Sequence, residues 1–383
     1  LLLRDPLQLT DKVVLIPQPL ASVLSLCDGT REDARALSLA FALRTGLGID
    51  PATVEYLLNA LDEALMLDND RFARFSQEAL AKYREAPFRP PTLAGQVYPQ
   101  EPDSLRELLD GYLSSVKLNR EPESVKWRGL ISPHIDYPRG GPVYAQVWGR
   151  AAKVIKEAEL AVILGTNHYG AGEVFALTRQ NYATPYGVLP TWHEAVDVLA
   201  GAIGPDVAFA AELCHRGEHS IELAAVWLHH MRGGEPCHIV PILCGSFARF
   251  LLGQADLEGE PSLNRFLEAL KGLLSGRKAI VVAAADLSHV GPAFGGEPLD
   301  LSLSAKLRQA DGELIARICE GDARGFFEAI KKVRDENNVC GVSPIYFALR
   351  LLEPVRGESV AYDRCPADQD GTSVVSICGV VFK

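Results

Sequence analysis

The sequence predicts an α/β protein with a mainly parallel central sheet, preceded by a small N-terminal domain. Three observations carry this expectation. From about residue 93 onward, short apolar runs of strand length alternate with helical patterns, the order that builds parallel sheets. Residues 1 to 90 contain no histidine, whereas all nine histidines lie from His134 onward. Between these regions runs Glu85-Ala86-Pro87-Phe88-Arg89-Pro90-Pro91, whose prolines cannot continue a helix. The expected domains are therefore 1–84 and 93–383, with a linker over 85–92.

The first region opens with a β-type stretch, Lys12 to Ile16, that runs into Pro17. Leu20, Val23 and Leu24 follow at helical spacing, and Asp28-Gly29-Thr30 reads as a stop and as the cap of a helix through Ala34, Leu37, Leu39 and Phe41. Ile49-Asp50-Pro51 is a helix start, with Val54, Leu57, Leu58 and Leu61 on one apolar face. In the second region the strands are expected at Gly129–Ser132, 160–165, 237–245 and 279–285. Helices are expected over 142–156, 191–203 and Ser220–Met231.

Composition narrows the function classes. At 383 residues, 48% hydrophobic and 23% charged, the chain is neither collagen-like, coiled-coil nor disordered. With 38 basic against 49 acidic residues the net charge is −11, which repels a phosphate backbone, so nucleic acid is not expected as a partner. No apolar run reaches the ~18 residues of a membrane span, and Leu1-Leu2-Leu3 passes at once into Arg4-Asp5-Pro6 without a signal-peptide core. A cytoplasmic protein with no membrane partner is the expectation. The eight cysteines include no CxxC pair, which fits reduced thiols better than a disulfide framework or a structural zinc site.

Chemistry concentrates where strands end. Three apolar runs are followed within a few residues by histidine, in Ser132-Pro133-His134, Gly165-Thr166-Asn167-His168 and Asp286-Leu287-Ser288-His289. Ligands of open α/β sheets sit beyond the carboxyl ends of the strands, so His134, His168 and His289 are expected at one edge, a face that suits iron, copper or zinc. Asp286 is a further oxygen ligand or an acceptor that orients an imidazole; a turn residue is the plainer alternative. Cys340 precedes an apolar helical run, and a thiol at a helix N-terminus is biased toward the thiolate that ligates metals. In Glu218-His219-Ser220-Ile221-Glu222, His219 and Glu222 are three residues apart, which fits an acid/base pair or an ordinary helix cap equally. There is no GxGxxG, GxxxxGK[ST] or GxSxG motif.

Seven stretches, in order, resemble the Memo-like family, the protein B component of bacterial AmmeMemoRadiSam systems. They are Ala94 to Pro99, Ser132 to Tyr137, Leu164 to His168, Glu218 to Glu222, Pro241 to Gly245, Asp286 to His289 and Cys340 to Ile345. The resemblance implies α/β/α layers similar to class III extradiol dioxygenases. It implies one Fe(II) or Cu ion, with zinc the poorer fit, held at His134, His168, Asp286, His289 and Cys340, with His219 beside them. The chain departs from the family pattern at Asn167, Tyr169 and Ser288. The first 70 or so residues resemble a winged-helix module of the PqqD-like, peptide-binding type; with 10 basic and 13 acidic residues over 1–90, a net of −3, such a module is not a DNA reader.

Three functions follow from this reading. One is a redox metal protein acting with a radical-SAM enzyme. A second is a dioxygenase-type oxidoreductase on an aromatic substrate, in which His219 and Glu218 do the acid/base work. The third is a non-enzymatic peptide- or protein-binding module.

Overall fold

In the computed structural model, which describes residues 1–117, 126–170 and 172–383, the chain divides after Glu85 into units Leu1–Glu85 and Ala86–Lys383. In the first unit, β1 (Leu2–Arg4) and β2 (Val13–Leu15) pair antiparallel. The helices α1 (Ala21–Leu24), α2 (Ala34–Thr45), α3 (Pro51–Glu63) and α4 (Asp70–Glu85) follow. Asp33, beyond the expected Asp28-Gly29-Thr30 turn, caps α2 by accepting from the Ala36 amide at 2.8 Å; Asp28 is occupied in its own turn by Thr30 and Arg31. Asp50 caps α3 with Pro51 in the first turn, as its sequence signals. Val14, Ile16, Val23, Leu37, Phe41, Val54, Leu57 and Leu61 close a small core.

The second unit begins with α5 (Pro102–Ser115). Then come β3 (Gly129–Ser132), α6 (Tyr137–Arg150), α7 (Ala152–Glu157) and β4 (Leu160–Thr166). Three short strands follow, β5 (Phe175–Leu177), β6 (Tyr182–Thr184) and β7 (Gly187–Leu189), and lead to α8 (His193–Ile203) and α9 (Pro205–Ala208). The chain continues through α10 (Ser220–Met231), β8 (His238–Cys244), α11 (Ala248–Leu251), α12 (Pro261–Leu274), β9 (Ala279–Ala284) and β10 (His289–Val290). It ends with α13 (Leu301–Glu320), α14 (Ala323–Lys332), α15 (Val342–Leu352), β11 (Gly357–Pro366) and β12 (Val374–Phe382).

The main sheet runs β10-β12-β3-β9-β4-β8-β5, with β11 paired to β12. Its centre, β3, β9, β4 and β8, is parallel throughout, while β12 and β5 add antiparallel edges. Every residue of β4 is buried, the mark of a strand covered on both faces. Leu160, Val162 and Leu164 pack in one cluster with α8, α12 and α15, whereas Gly165, of the opposite parity, faces Ile221 of α10. The layers are therefore α/β/α. Phe175 stacks on Phe266 at 3.9 Å between ring centroids, joining β5 to α12. Each such side chain, fully buried, contributes ~1.5–3 kcal/mol. Among the described residues no helix is long and apolar enough to cross a membrane.

Two local expectations need correcting. Helix α6 starts at Tyr137, not Pro142, because Asp136 accepts the Arg139 amide and Pro138 suits a first turn; Pro142 sits inside it. The stretch 85–92 is not a free linker. Arg89 is completely buried, pairs with Glu222 at 2.5 Å, and donates to the carbonyls of His215 and Glu218. A buried guanidinium needs such partners, and they draw this segment into the second unit.

The approach of α10 to β4 depends on Gly165. A Cβ there would stand 2.5 Å from Ile221 Cγ1 and 2.7 Å from Ser220 Oγ, inside van der Waals contact. Gly165→Ala is therefore expected to destabilise the protein by about 1–3 kcal/mol, read as a lower urea midpoint. An unchanged midpoint would show that α10 is not held this closely.

Candidate metal centre

The parallel strands bring their carboxyl ends to one edge, and the candidate residues follow them closely. His134 lies two residues past β3, His168 two past β4 and Asp286 two past β9. His219 arrives from elsewhere, as the residue capping α10. Cys340 precedes the α15 cap, Gly341.

Among the described residues, one group of side chains offers atoms mutually within 4.8 Å: His134, His168 and His219. The His168 and His219 rings stack, with centroids 4.9 Å apart, and His134 stands edge-on to both at 5.1 and 5.4 Å. Glu218 organises two of these rings. Its carboxylate, wholly shielded from solvent, accepts the backbone N–H groups of His168 (2.9 Å), His219 (2.8 Å) and Ser220 (3.0 Å). It also lies 3.1 Å from Nδ1 of both His168 and His219. Nδ1 of His134 faces the Ala284 carbonyl at 2.9 Å. Because a carboxylate or carbonyl can only accept, these partners assign the proton to Nδ1 in all three rings. The proton on Nδ1 leaves Nε2 as the acceptor nitrogen, the one a metal would take; at His134 it faces the Cys340 thiol.

Charge favours the neutral form at His134 and works the other way at His219. Burial, then the neighbouring His168 and His219, holds His134 well below the ordinary imidazole value, so it is neutral. Burial alone would raise Glu218, but hydrogen bonds from His168 and His219 outweigh it and keep the carboxyl far down. Burial pulls His219 down as well, yet the Glu218 hydrogen bond and charge prevail and hold it above the usual value.

The other expected residues surround this face differently. Cys340 Sγ is 3.4 Å from His134 Nε2, and Asp286 Oδ2 is 3.7 Å from it. Asp286 Oδ1 accepts the His134 amide at 2.8 Å, and burial raises its carboxyl above the ordinary value. The expected thiolate bias of Cys340 is not met, because burial and the Asp286 charge push its thiol well up. His289 lines the same cavity of about 470 Å³, but its ring packs edge-on against Phe294 at 5.1 Å and it is not in the close group. The imidazole nearest to His134 and His168 is thus His219, read from sequence as an acid/base residue.

Glu222 points elsewhere. It accepts from Arg89, Thr92, Leu93 and Tyr98, tying residues 89–98 across α10 and placing Leu93 and Val97 in the cavity wall. Sequence reading passed over Arg89 and the buried Asp311, whose carboxylate accepts from Ser288 and Tyr362 at 2.6 and 2.8 Å beside His289. Arg89 stood out only as a charge among prolines, and Asp311 gave no signal at all.

A mainly parallel α/β/α domain with a cluster of three histidines around the buried Glu218 carboxylate at the strand ends defines the class: an α/β protein with a candidate metal site at its sheet edge. The chain belongs to the Memo-like family, whose model, described as Memo-like protein, matches residues 89–381. A MEMO1 family protein of Aquifex aeolicus is 27% identical over 386 residues, covering 99% of this chain and 95% of the relative. One from Methanosarcina barkeri is 29% identical over 299 residues, covering 77% of this chain and 100% of the relative. One from Thermus thermophilus is 29% identical over 321 residues, with 83% and 90% covered.

Glu218 sets a pH dependence. Its folded value lies below the ordinary 4.5, so its contribution to stability is present above that pH and is lost as pH falls below it. Glu218→Gln is expected to cost about 2–3 kcal/mol at pH 7 and to flatten the loss of stability below pH 4.5. Urea unfolding across pH measures both, and an unchanged acid limb would remove Glu218 from this role.

Proposed function

We propose that the protein is a redox metalloprotein holding one Fe or Cu ion on Nε2 of His134, His168 and His219. Cys340 and Asp286 are close enough to His134 to join on a small shift. The observation that carries this reading is the Nδ1 pattern, in which every ring is turned by a fixed acceptor and its other nitrogen is left for a ligand, in a group whose candidate ligand atoms lie within 4.8 Å of one another. Imidazoles beside a thiol suit iron and copper, and the thiol favours a redox-active ion over zinc. Bound there, such an ion would supply single-electron or Lewis-acid chemistry. The apolar wall formed by Leu93, Val97 and Val375 would exclude water from a ligand in the cavity.

Metal analysis of protein purified without oxygen tests this. About one Fe or Cu per chain is expected in the wild type or after reconstitution, falling at least about tenfold in His134→Ala and His168→Ala. No retained Fe or Cu overturns the proposal. The dioxygenase version is supported by the Asp286 carboxylate 3.7 Å from His134, which itself stands beside His168, since two histidines and one carboxylate is an oxygen-activating set. It requires oxygen uptake when Fe(II)-loaded protein meets catechols, and uptake no greater than a metal-free control sinks it.

A peptide-binding role is supported by a different observation, within the first unit. Leu1 and Ile16 exchange both backbone hydrogen bonds, at 2.8 Å each. The alternation of an antiparallel ladder then turns the N–H and C=O groups of Val13 and Leu15 outward. They border a groove of about 610 Å³ between β2 and α3, walled by Leu15, Pro17, Tyr56 and Ala60. An extended peptide could add there as a third strand, consistent with a winged-helix-like, PqqD-like module serving a radical-SAM partner. Calorimetric titration of the full chain with a radical-SAM enzyme encoded by a neighbouring gene should give heat in the wild type and none in Leu15→Asp. Equal heats, or none with the wild type, would sink this role.

A further inference from the structure

A second cavity, of about 440 Å³, shares His168, His289 and Phe294 with the histidine cavity. Its remaining wall is largely apolar, with Phe247, Leu251, Val339 and Val342 prominent. Among the described residues its lining contains one carboxylate, Asp335, and no lysine or arginine.

Asp335 is unusual in its setting. Its Oδ1 accepts the Val339 amide at 2.8 Å, and no cation pairs with it among the described residues. Burial pushes its carboxyl up to about 6, with that single amide opposing the rise. The backbone holds it firmly in place. Arg334, Asp335 and Asn338 all take left-handed φ, at 51°, 55° and 49°, a conformation costly enough to need support from its surroundings. The support is a set of hydrogen bonds to the metal-centre edge: the His289 amide donates to Asn337 O at 2.7 Å, and Asn338 Nδ2 donates to His289 O at 3.1 Å. A strained, braced turn thus holds a half-buried carboxylate without a counter-ion against an apolar wall that contains two aromatic rings.

We propose that this cavity binds a small primary amine with an apolar or aromatic body. The ammonium pairs with Asp335, the body lies against Phe247 and Phe294, and the far end reaches the edge formed by His168 and His289. Each part has a physical reason. An ammonium gives the carboxylate the partner its burial lacks, aromatic rings attract cations at their faces, and a cavity of this size suits a compact ligand. An anionic ligand would meet the uncompensated Asp335 charge. The meaning of this site as a substrate site rests on the metal-centre proposal, but amine binding itself does not.

The test uses metal-free full-length protein and three probes of matched shape: 4-phenylbutylamine, 4-phenylbutanol and 4-phenylbutyrate. By calorimetry at pH 7.5 the amine is expected to bind at least about tenfold more tightly than the alcohol, and the acid more weakly than either. Asp335→Asn keeps an acceptor for the Val339 amide and tolerates left-handed φ, so it should fold. In that variant the amine should fall to within about twofold of the alcohol. Ala248→Trp, at an exposed position on the cavity rim, should abolish binding of all three. Equal binding of amine and acid, a preference that survives Asp335→Asn, or no binding of any probe overturns the proposal. If Asp335→Asn fails to fold, the order of the three probes in the wild type decides. Amine preference without Fe or Cu retention would sink the metal reading alone; retention without preference would sink this one alone.

Discussion

The buried carboxylate of Glu218 is the interaction on which the site depends. It accepts three backbone amides and faces two imidazole nitrogens from two different elements, the loop after β4 and the start of α10. A carboxylate deprived of water needs this many donors to remain charged. Because it remains charged, it sets the orientation of His168 and His219 and, through them, which nitrogen each presents. Without Glu218, two side chains with free rotation would have to be ordered by a ligand alone, at an entropic cost of up to ~1.5–2 kcal/mol for each side chain.

Buried carboxylates recur in the same job around the sheet edge. Asp286 takes the His134 amide, Asp311 takes Ser288 next to His289, and Glu222 gathers Arg89, Thr92, Leu93 and Tyr98. Asp286 ties two strand-end loops together, and Asp311 and Glu222 each tie a loop segment to a helix. Loops at the carboxyl edge of a parallel sheet carry backbone donors that no strand ladder satisfies, and an internal acceptor fixes them more narrowly than water would. The chemistry-bearing side chains are therefore held by a polar framework under the strands, with the apolar cluster on the opposite face of β4 supplying the bulk of the packing.

Much of the second unit was legible because its strands are covered on both faces. A doubly buried strand must be apolar at every position, so β3, β4, β8 and β9 stood out as continuous runs, and the helices between them by their periodicity. The resemblance to the Memo-like family was legible through short polar motifs at those strand ends, and the family match over residues 89–381 agrees with it. The antiparallel edges were harder. The strand β11 is only half-buried and mixes charged with apolar residues, so it lacks either periodic signature. Residues 85–92 misled because prolines report only that a helix cannot continue; they carry nothing about whether Arg89 finds a buried partner 133 residues away.

By itself, the sequence determined the parallel strands at the centre of the sheet, several of the helices between them, and the positions of His134, His168 and Asp286 just past strand ends. These follow from local pattern, since strand burial and chain direction are written in consecutive residues. Only the tertiary structure decided that His219, and not His289, stands with His134 and His168, that Glu222 faces the 89–98 segment, and that Cys340 is a half-buried thiol beside His134. Those outcomes depend on the approach of α10 to β4 over Gly165 and on acceptors brought from distant parts of the chain. Side-chain direction past the end of a strand is set by such non-local hydrogen bonds, and residue spacing along the chain does not encode them.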